Sequence, residues 1–216
     1  MGGIPDMPPP PSSAVPFLSG WLAMMVAMMF PSVAPTATVF ATMGQDRRRA
    51  GPRGAATSLF LLGYLAIWGL VGAGIYMLSL VVPDVRMAAP GLRTSSPFIG
   101  GFILIVAGLY QWSSLKRSCL EHCRSRLARL QQEWREGAAG AFRSGAAHGA
   151  RCVGCSAGLM CVLFAVGLMN LGWMALLAAV IFIENVVPHG PPIGRLAGVA
   201  MLVSGVAMWA APWLGR

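Results

Sequence analysis

From Cys152 to Val187 the chain runs for 36 residues with one charged side chain, Glu184. As a single α-helix this stretch would be about 54 Å long at 1.5 Å per residue, far beyond a hydrocarbon core of about 30 Å. Inside a water-soluble domain it has no polar face to turn toward solvent. Two antiparallel membrane crossings meet both limits. Gly167-Leu-Met-Asn170-Leu-Gly172 suits the reversal, with Asn170 placed to cap it, so the stretch divides into crossings at 152–169 and 171–187.

Four further apolar runs, at 17–43, 55–82, 97–115 and 193–213, bring the expected total to six crossings in an all-α polytopic transmembrane bundle. Composition agrees: 56% of residues are hydrophobic and 11% charged, against about 25% charged in ordinary soluble domains. The expected organisation is a disordered, polyproline-like tail over residues 1–16 and one transmembrane domain over 17–216. The tail lacks the basic segment of a cleavable leader.

The sixteen Lys and Arg residues are unevenly placed: four lie between Arg47 and Arg53 and eight between Lys116 and Arg151. Two crossings separate these clusters, so both fall on one side of the bilayer, the cytoplasmic side by the positive-inside rule. The N-terminus, the less basic loop with Arg86 and Arg93, and the C-terminus then lie outside. The expected location is a bacterial-type inner membrane. The net charge of +9 is explained by these loops, and nucleic acid is not an expected partner. Between Lys116 and Glu136, Leu120, Cys123, Leu127, Leu130 and Trp134 recur at helical spacing, which predicts an amphipathic helix continuing the third crossing along the membrane surface. The Gly-Ala-rich segment Gly137–Gly149 reads as a flexible link or a short helix.

Five cysteines are present. Cys119 and Cys123, at i and i+4, share a helix face, and Cys152 and Cys155 form a Cys-x-x-Cys pair. Both pairs fall at the cytoplasmic mouths of the third and fourth crossings, where thiols stay reduced. Together they can assemble a thiolate metal site, with His122 a further candidate ligand and Arg117, Arg124 and Arg151 favouring thiolate over thiol. Cys161, deep in its crossing, reads as a small packing residue.

In the first crossing Met24, Met25, Met28 and Met29 precede Phe30-Pro31-Ser32-Val33-Ala34-Pro35. Pro31 lacks an N–H and crowds the carbonyl of Ala27, which predicts a kinked or broken helix of the kind that carries transport sites. Thioether sulfur suits copper(I), although Met is also an adaptable core filler. Met160, Met169 and Met174 can extend such a path. Glu184 sits within an apolar run, where an acid faces a protein interior or a pathway; pairing with a loop arginine, metal ligation and proton transfer are its three possible roles.

The blocks Trp21–Ser32, Ala107–Gln111 with Leu115–Arg124, and His148–Cys155 with Leu159-Met160, Met169–Met174 and Glu184 resemble the DUF2182 family, described as predicted metal-binding integral membrane proteins. The resemblance covers about Trp21 to Gly205 and implies a membrane metal-binding role without a reaction. Two positions depart from the family pattern: Ser156 replaces the last cysteine of Cys-x-Gly-Cys-Cys, and Asn185 replaces the lysine of Glu-Lys.

The favoured reading is a metal-binding membrane protein handling copper, with zinc the alternative, in transport, delivery or homeostasis. Its expected ligands are Cys119, Cys123, Cys152, Cys155, Met28, Met29, Met160, His122 and Glu184. A second reading is an accessory subunit of a larger membrane complex or a homo-oligomer, whose Gly69, Gly72 and Gly74 permit close helix packing. A third, a thiol oxidoreductase using Cys152 and Cys155, lacks the surrounding βαβ pattern. No serine–histidine–acid set, phosphate loop or paired carboxylates point to a conventional enzyme, and His122, His148 and His189 are all assigned to loops.

Overall fold

The computed structural model describes residues 13–46, 55–81, 97–125, 137–166, 171–187 and 190–214. The tail up to residue 12, the arginine cluster at 47–53, the loop with Arg86 and Arg93, residues 126–136, the expected turn at 167–170 and His189 lie outside them. Among the described residues there are seven helices and no strands: α1 (Ala14–Asp46), α2 (Ala55–Val81), α3 (Pro97–Tyr110), α4 (Ser114–Arg124), α5 (Gly137–Val166), α6 (Leu171–Val186) and α7 (Gly190–Leu214). Four of these, α1, α2, α5 and α7, are long and apolar enough to cross a bilayer; α3 and α6 are apolar but shorter.

The first helix is not broken. It runs from Ala14 to Asp46 with Pro31 and Pro35 inside it. Each proline removes one backbone donor and leaves the carbonyl four residues earlier without it, but in an apolar medium a full break would leave several more N–H and C=O groups unpaired, which favours continuing the helix. Pro31 is exposed and Pro35 half-buried, while Met28, Met29, Val33 and Thr36 around them are buried. Helix α2 packs antiparallel to α1: the Trp21 indole N–H donates to the Trp68 carbonyl at 2.9 Å, and the rings of Phe40 and Phe60 stack with centroids 4.8 Å apart. The Trp21 ring fills the space above Gly72, whereas Gly74 has nothing within 4 Å.

Helix α5 corrects the expectation most. The Gly-Ala-rich segment is neither a link nor a short separate helix; it is the first half of one 30-residue helix. It runs parallel to α2 in direct backbone contact. A Cβ at Gly145 would overlap the Phe60 carbonyl, one at Gly63 would overlap the Phe142 carbonyl, and one at Gly149 would lie 3.0 Å from the Tyr64 carbonyl. Ala favours a helix and Gly disfavours it, neither brings a large apolar side chain to bury, and such small residues let two backbones approach where no solvent drives association.

The same device joins α3 to α7, which run antiparallel. A Cβ at Gly101 would sit 2.8 Å from the Gly205 carbonyl, and one at Gly108 would sit 2.9 Å from the Gly198 carbonyl. The opposite face of α7 presents Leu196, Val199, Val203 and Val206 outward, and α3 presents Phe98, Phe102, Val106 and Leu109 outward. Glycines inside and large apolar side chains outside invert the pattern of a water-soluble helix and match a lipid-facing one.

Gly145→Val should place a branched side chain against the Phe60 backbone and lower stability by about 3 kcal/mol or more. Gly74→Ala, in open space within a helix, should be neutral or raise stability by roughly 0.5–1 kcal/mol. Thermal unfolding of both variants in detergent, followed by circular dichroism, checks the contrast.

Candidate metal centre

Helix α3 ends at Tyr110, and the next turn is irregular: the Gln111 N–H bonds to the carbonyls of Ala107 and Gly108, and Ser113 is extended (φ −66°, ψ 148°). The Ser113 hydroxyl accepts from the Lys116 backbone N–H at 3.1 Å and so starts α4 as a new helix. The expected amphipathic helix therefore starts anew after a turn instead of continuing α3 directly, and the described part of its apolar face packs on neighbouring helices. Lys116, Leu120 and Cys123 are buried against α5 and α6, while Arg117, Ser118 and Glu121 on the other side are exposed. Leu127, Leu130 and Trp134 lie outside the described residues.

Both cysteines of α4 meet α5. Cys119 lies over Gly154, where a Cβ would come within 2.7 Å of its sulfur; the glycine between the two cysteines of the Cys-x-x-Cys pair is thus the space that Cys119 occupies. One turn further along α4, Cys123 Sγ stands 3.9 Å from Cys155 Sγ. Cys155 also contacts the Cys152 carbonyl at 3.2 Å and Asn185 Oδ1 at 3.8 Å. Cys152 turns the other way, toward α2, with its sulfur 3.3 Å from the Tyr64 hydroxyl. Tyr110 holds the same stretch from α3, its hydroxyl donating to the Gly154 carbonyl at 2.6 Å.

The four thiols therefore divide into a close pair, Cys123 and Cys155, an adjacent third, Cys119, and a fourth, Cys152, directed at a different helix. Among the described residues no three His, Cys, Asp or Glu side chains converge as a metal-binding group. Two metal–sulfur bonds of about 2.3 Å hold their sulfurs from about 3.8 Å apart at a tetrahedral angle to about 4.6 Å when collinear, so the 3.9 Å separation of Cys123 and Cys155 lies within reach of a shared soft cation. A two-thiolate donor set suits copper(I), which thiolates select, better than zinc, which in structural sites takes four ligands.

Cys152 is not at the start of its helix: it lies fifteen residues after Gly137 in the same helix, about 22 Å along its axis. Cys123, Cys152 and Cys155 are buried and Cys119 is half-buried, while Cys161 is exposed on the outer face.

Glu184 does not pair with a loop arginine. Its carboxylate oxygens accept from Lys116 Nζ at 2.8 and 2.9 Å, and both side chains are almost fully sealed, at 4% and 2% exposure. The same ammonium donates to Gln111 Oε1. Gly194 on α7 makes room for the carboxylate, which a Cβ there would overlap. Asn185 is buried, its amide donating to the Ile181 carbonyl at 3.0 Å, and Ser156, at the position of the missing cysteine, donates to the Cys152 carbonyl at 2.7 Å.

Met28 and Met29 are buried in the main core, in the same cluster as Met25, Cys152 and Met160; Met174 packs against its edge, and Met169 lies outside the described residues. His122 is half-buried on α4. His148 is not in a loop: it sits within α5, its ring 6.0 Å from those of Phe60 and Tyr64. Sequence reasoning gave no site role to Lys116, Gln111 or Tyr64, and named Arg124 only as a charge beside the thiols and Asn185 only as a departure from the family pattern. Only Lys116 carried a usable signal, since an acid in an apolar run requires a cation and Lys116 is the basic residue nearest the end of the third apolar run.

A family model, PpoB2, described as a copper chaperone, matches residues 18–208. Its name differs from that of the family the sequence blocks resemble; metal handling is what the two descriptions share. No curated protein and no solved structure matches the chain.

N-Ethylmaleimide in detergent should modify the half-buried Cys119 first and Cys161, exposed only to the apolar surroundings of a crossing where the reactive thiolate is disfavoured, more slowly, leaving Cys123, Cys152 and Cys155 unmodified until the protein is denatured. Peptide mass spectrometry against time reads the order, and early labelling of Cys155 would contradict this packing.

Proposed function

We propose that this chain, which belongs to the PpoB2 family of copper chaperones, carries copper(I) as cargo on the thiolates of Cys123 and Cys155 inside a six-crossing membrane bundle. The observation that carries the reading is the 3.9 Å sulfur separation of two buried cysteines on different helices. Nothing in ordinary packing requires two thiols to meet there, and a soft cation is the ligand that a buried thiol pair recognises.

Cys119, on the same α4 face, is the nearest additional donor, and Cys152 is the donor on the α2 side. Their division suggests exchange of cargo between thiols rather than a closed structural site. Met28, Met29 and Met160 share the buried cluster of Cys152 and would offer thioethers for the cargo within the membrane. His122 remains a candidate at the edge of α4. Glu184, neutralised by Lys116, is better suited to fixing the site than to ligating metal.

Helix directions support the six-crossing reading. Helices α1 and α2 are antiparallel, α2 and α5 parallel, and α3 and α7 antiparallel, as strict alternation across a bilayer requires. With the basic residues near Lys116 on the cytoplasmic side, the thiol pair would receive copper from, or hand it to, the cytoplasm. The DUF2182-like blocks fall within the matched span and are consistent with this role.

Reduced protein purified in detergent should take up about one copper(I) per chain against a competing chelator. Cys123→Ser and Cys155→Ser should each lose it, with Cys161→Ser unaffected. Absence of copper(I) uptake by the reduced wild-type protein would sink the proposal.

A further inference from the structure

The last turn of α6 touches both thiol-bearing helices at once. Glu184 binds Lys116 on α4 through two contacts. About two turns further along α4, Arg124 Nη1 donates to the carbonyls of Glu184 and Val187 at 2.6 and 2.7 Å. Between them Asn185 reaches Cys155 of α5. Lys116 and Arg124 lie at opposite ends of α4, so the two contacts fix its position and its rotation. Cys123, which immediately precedes Arg124, is held toward Cys155 as a result. The turn itself is anchored to α7: Gly190 packs on the backbone of Ile183 and Glu184, and Gly194 receives the carboxylate.

We infer that Lys116, Glu184 and Arg124 are positioning residues that set the separation of the Cys123 and Cys155 thiols, and through it the affinity for a soft cation. An ion pair sealed from water is a poor source of net stability, since apolar replacements of similar volume are often as stable, but it discriminates among packings because an unpaired partner is strongly disfavoured. Helix α4 is eleven residues long and too short to cross a bilayer. Its register against α5 is therefore decided by such contacts. The inference rests on the copper reading for its consequence but not for its geometry.

The test separates the two. In a background with Cys119, Cys152 and Cys161 changed to Ser, diamide oxidises the thiols of Cys123 and Cys155 to one disulfide, and the two electrons and two protons reduce the diamide. The rate of this reaction reports how often the sulfurs meet. Copper(I) affinity, measured by chelator competition with the cysteines intact, reports the consequence. Lys116→Met/Glu184→Met removes both charges and leaves none unpaired. It should stay folded by circular dichroism and gel filtration, yet slow disulfide formation at least tenfold and weaken copper(I) binding by about 10- to 100-fold, as loss of groups that orient ligands does. Glu184→Gln should act in the same direction, and Lys116→Arg, which keeps a cation, should stay near wild type. If the ion-pair variants do not fold, Arg124→Gln, which leaves the pair in place, carries the same expectation. A folded variant with wild-type disulfide rate and affinity overturns the inference. A wild-type protein that binds no copper(I) while its disulfide rate still depends on the pair overturns the copper reading and leaves the positioning role standing.

Discussion

A carboxylate sealed from water must have a cation against it, and here that cation is an ammonium from another helix. Lys116 and Glu184 are 68 positions apart and neither is tolerable alone: leaving one partner buried and unpaired costs about 3–5 kcal/mol. Much of the inner architecture follows from satisfying this pair. Gln111 is turned to accept from the same ammonium, Gly194 is kept without a side chain, and α4 is held against α5 and α6. The two cysteine-bearing helices meet where the pair closes.

Close backbone contact does the remaining work. In lipid there is no hydrophobic drive between apolar helix faces, so association depends on how closely they can pack. Gly63, Gly145 and Gly149 bring α2 and α5 into backbone contact, and Gly101, Gly108, Gly198 and Gly205 do so for α3 and α7. The bulky side chains displaced from these seams form the outer surface. Gly154 extends the same logic into the site, where the missing side chain is the room for the Cys119 sulfur.

Much of this was legible in the chain. The 36-residue apolar run, the scarcity of charge and the grouping of arginines specify an all-helical chain for an apolar medium, and the helical spacing of Leu120 and Cys123 marks the face of α4 that is buried. The residues of the candidate site were legible as types: paired cysteines, methionines at helical spacing and an acid in an apolar run. The extent of α5 was not, because in Gly137–Gly149 the helix-favouring alanines are offset by glycines and no hydrophobic period marks a face, while the close contact with α2 that suits these small residues is not visible in the sequence. The continuity of α1 was misread because the effect of proline was weighed without the demand of an apolar medium that every other backbone group stay paired.

The sequence by itself determined the fold class and the chemistry available: thiols, thioethers and one acid among apolar helices. Each of these follows from local properties, namely hydropathy over a helix length and the donor character of a side chain. Tertiary structure alone decided which cysteines meet, that Cys152 looks toward Tyr64 while Cys155 looks toward Cys123, and that the partner of Glu184 is Lys116. Those pairings depend on the rotation and register of helices distant in sequence, and close contacts between side chains and backbones set them.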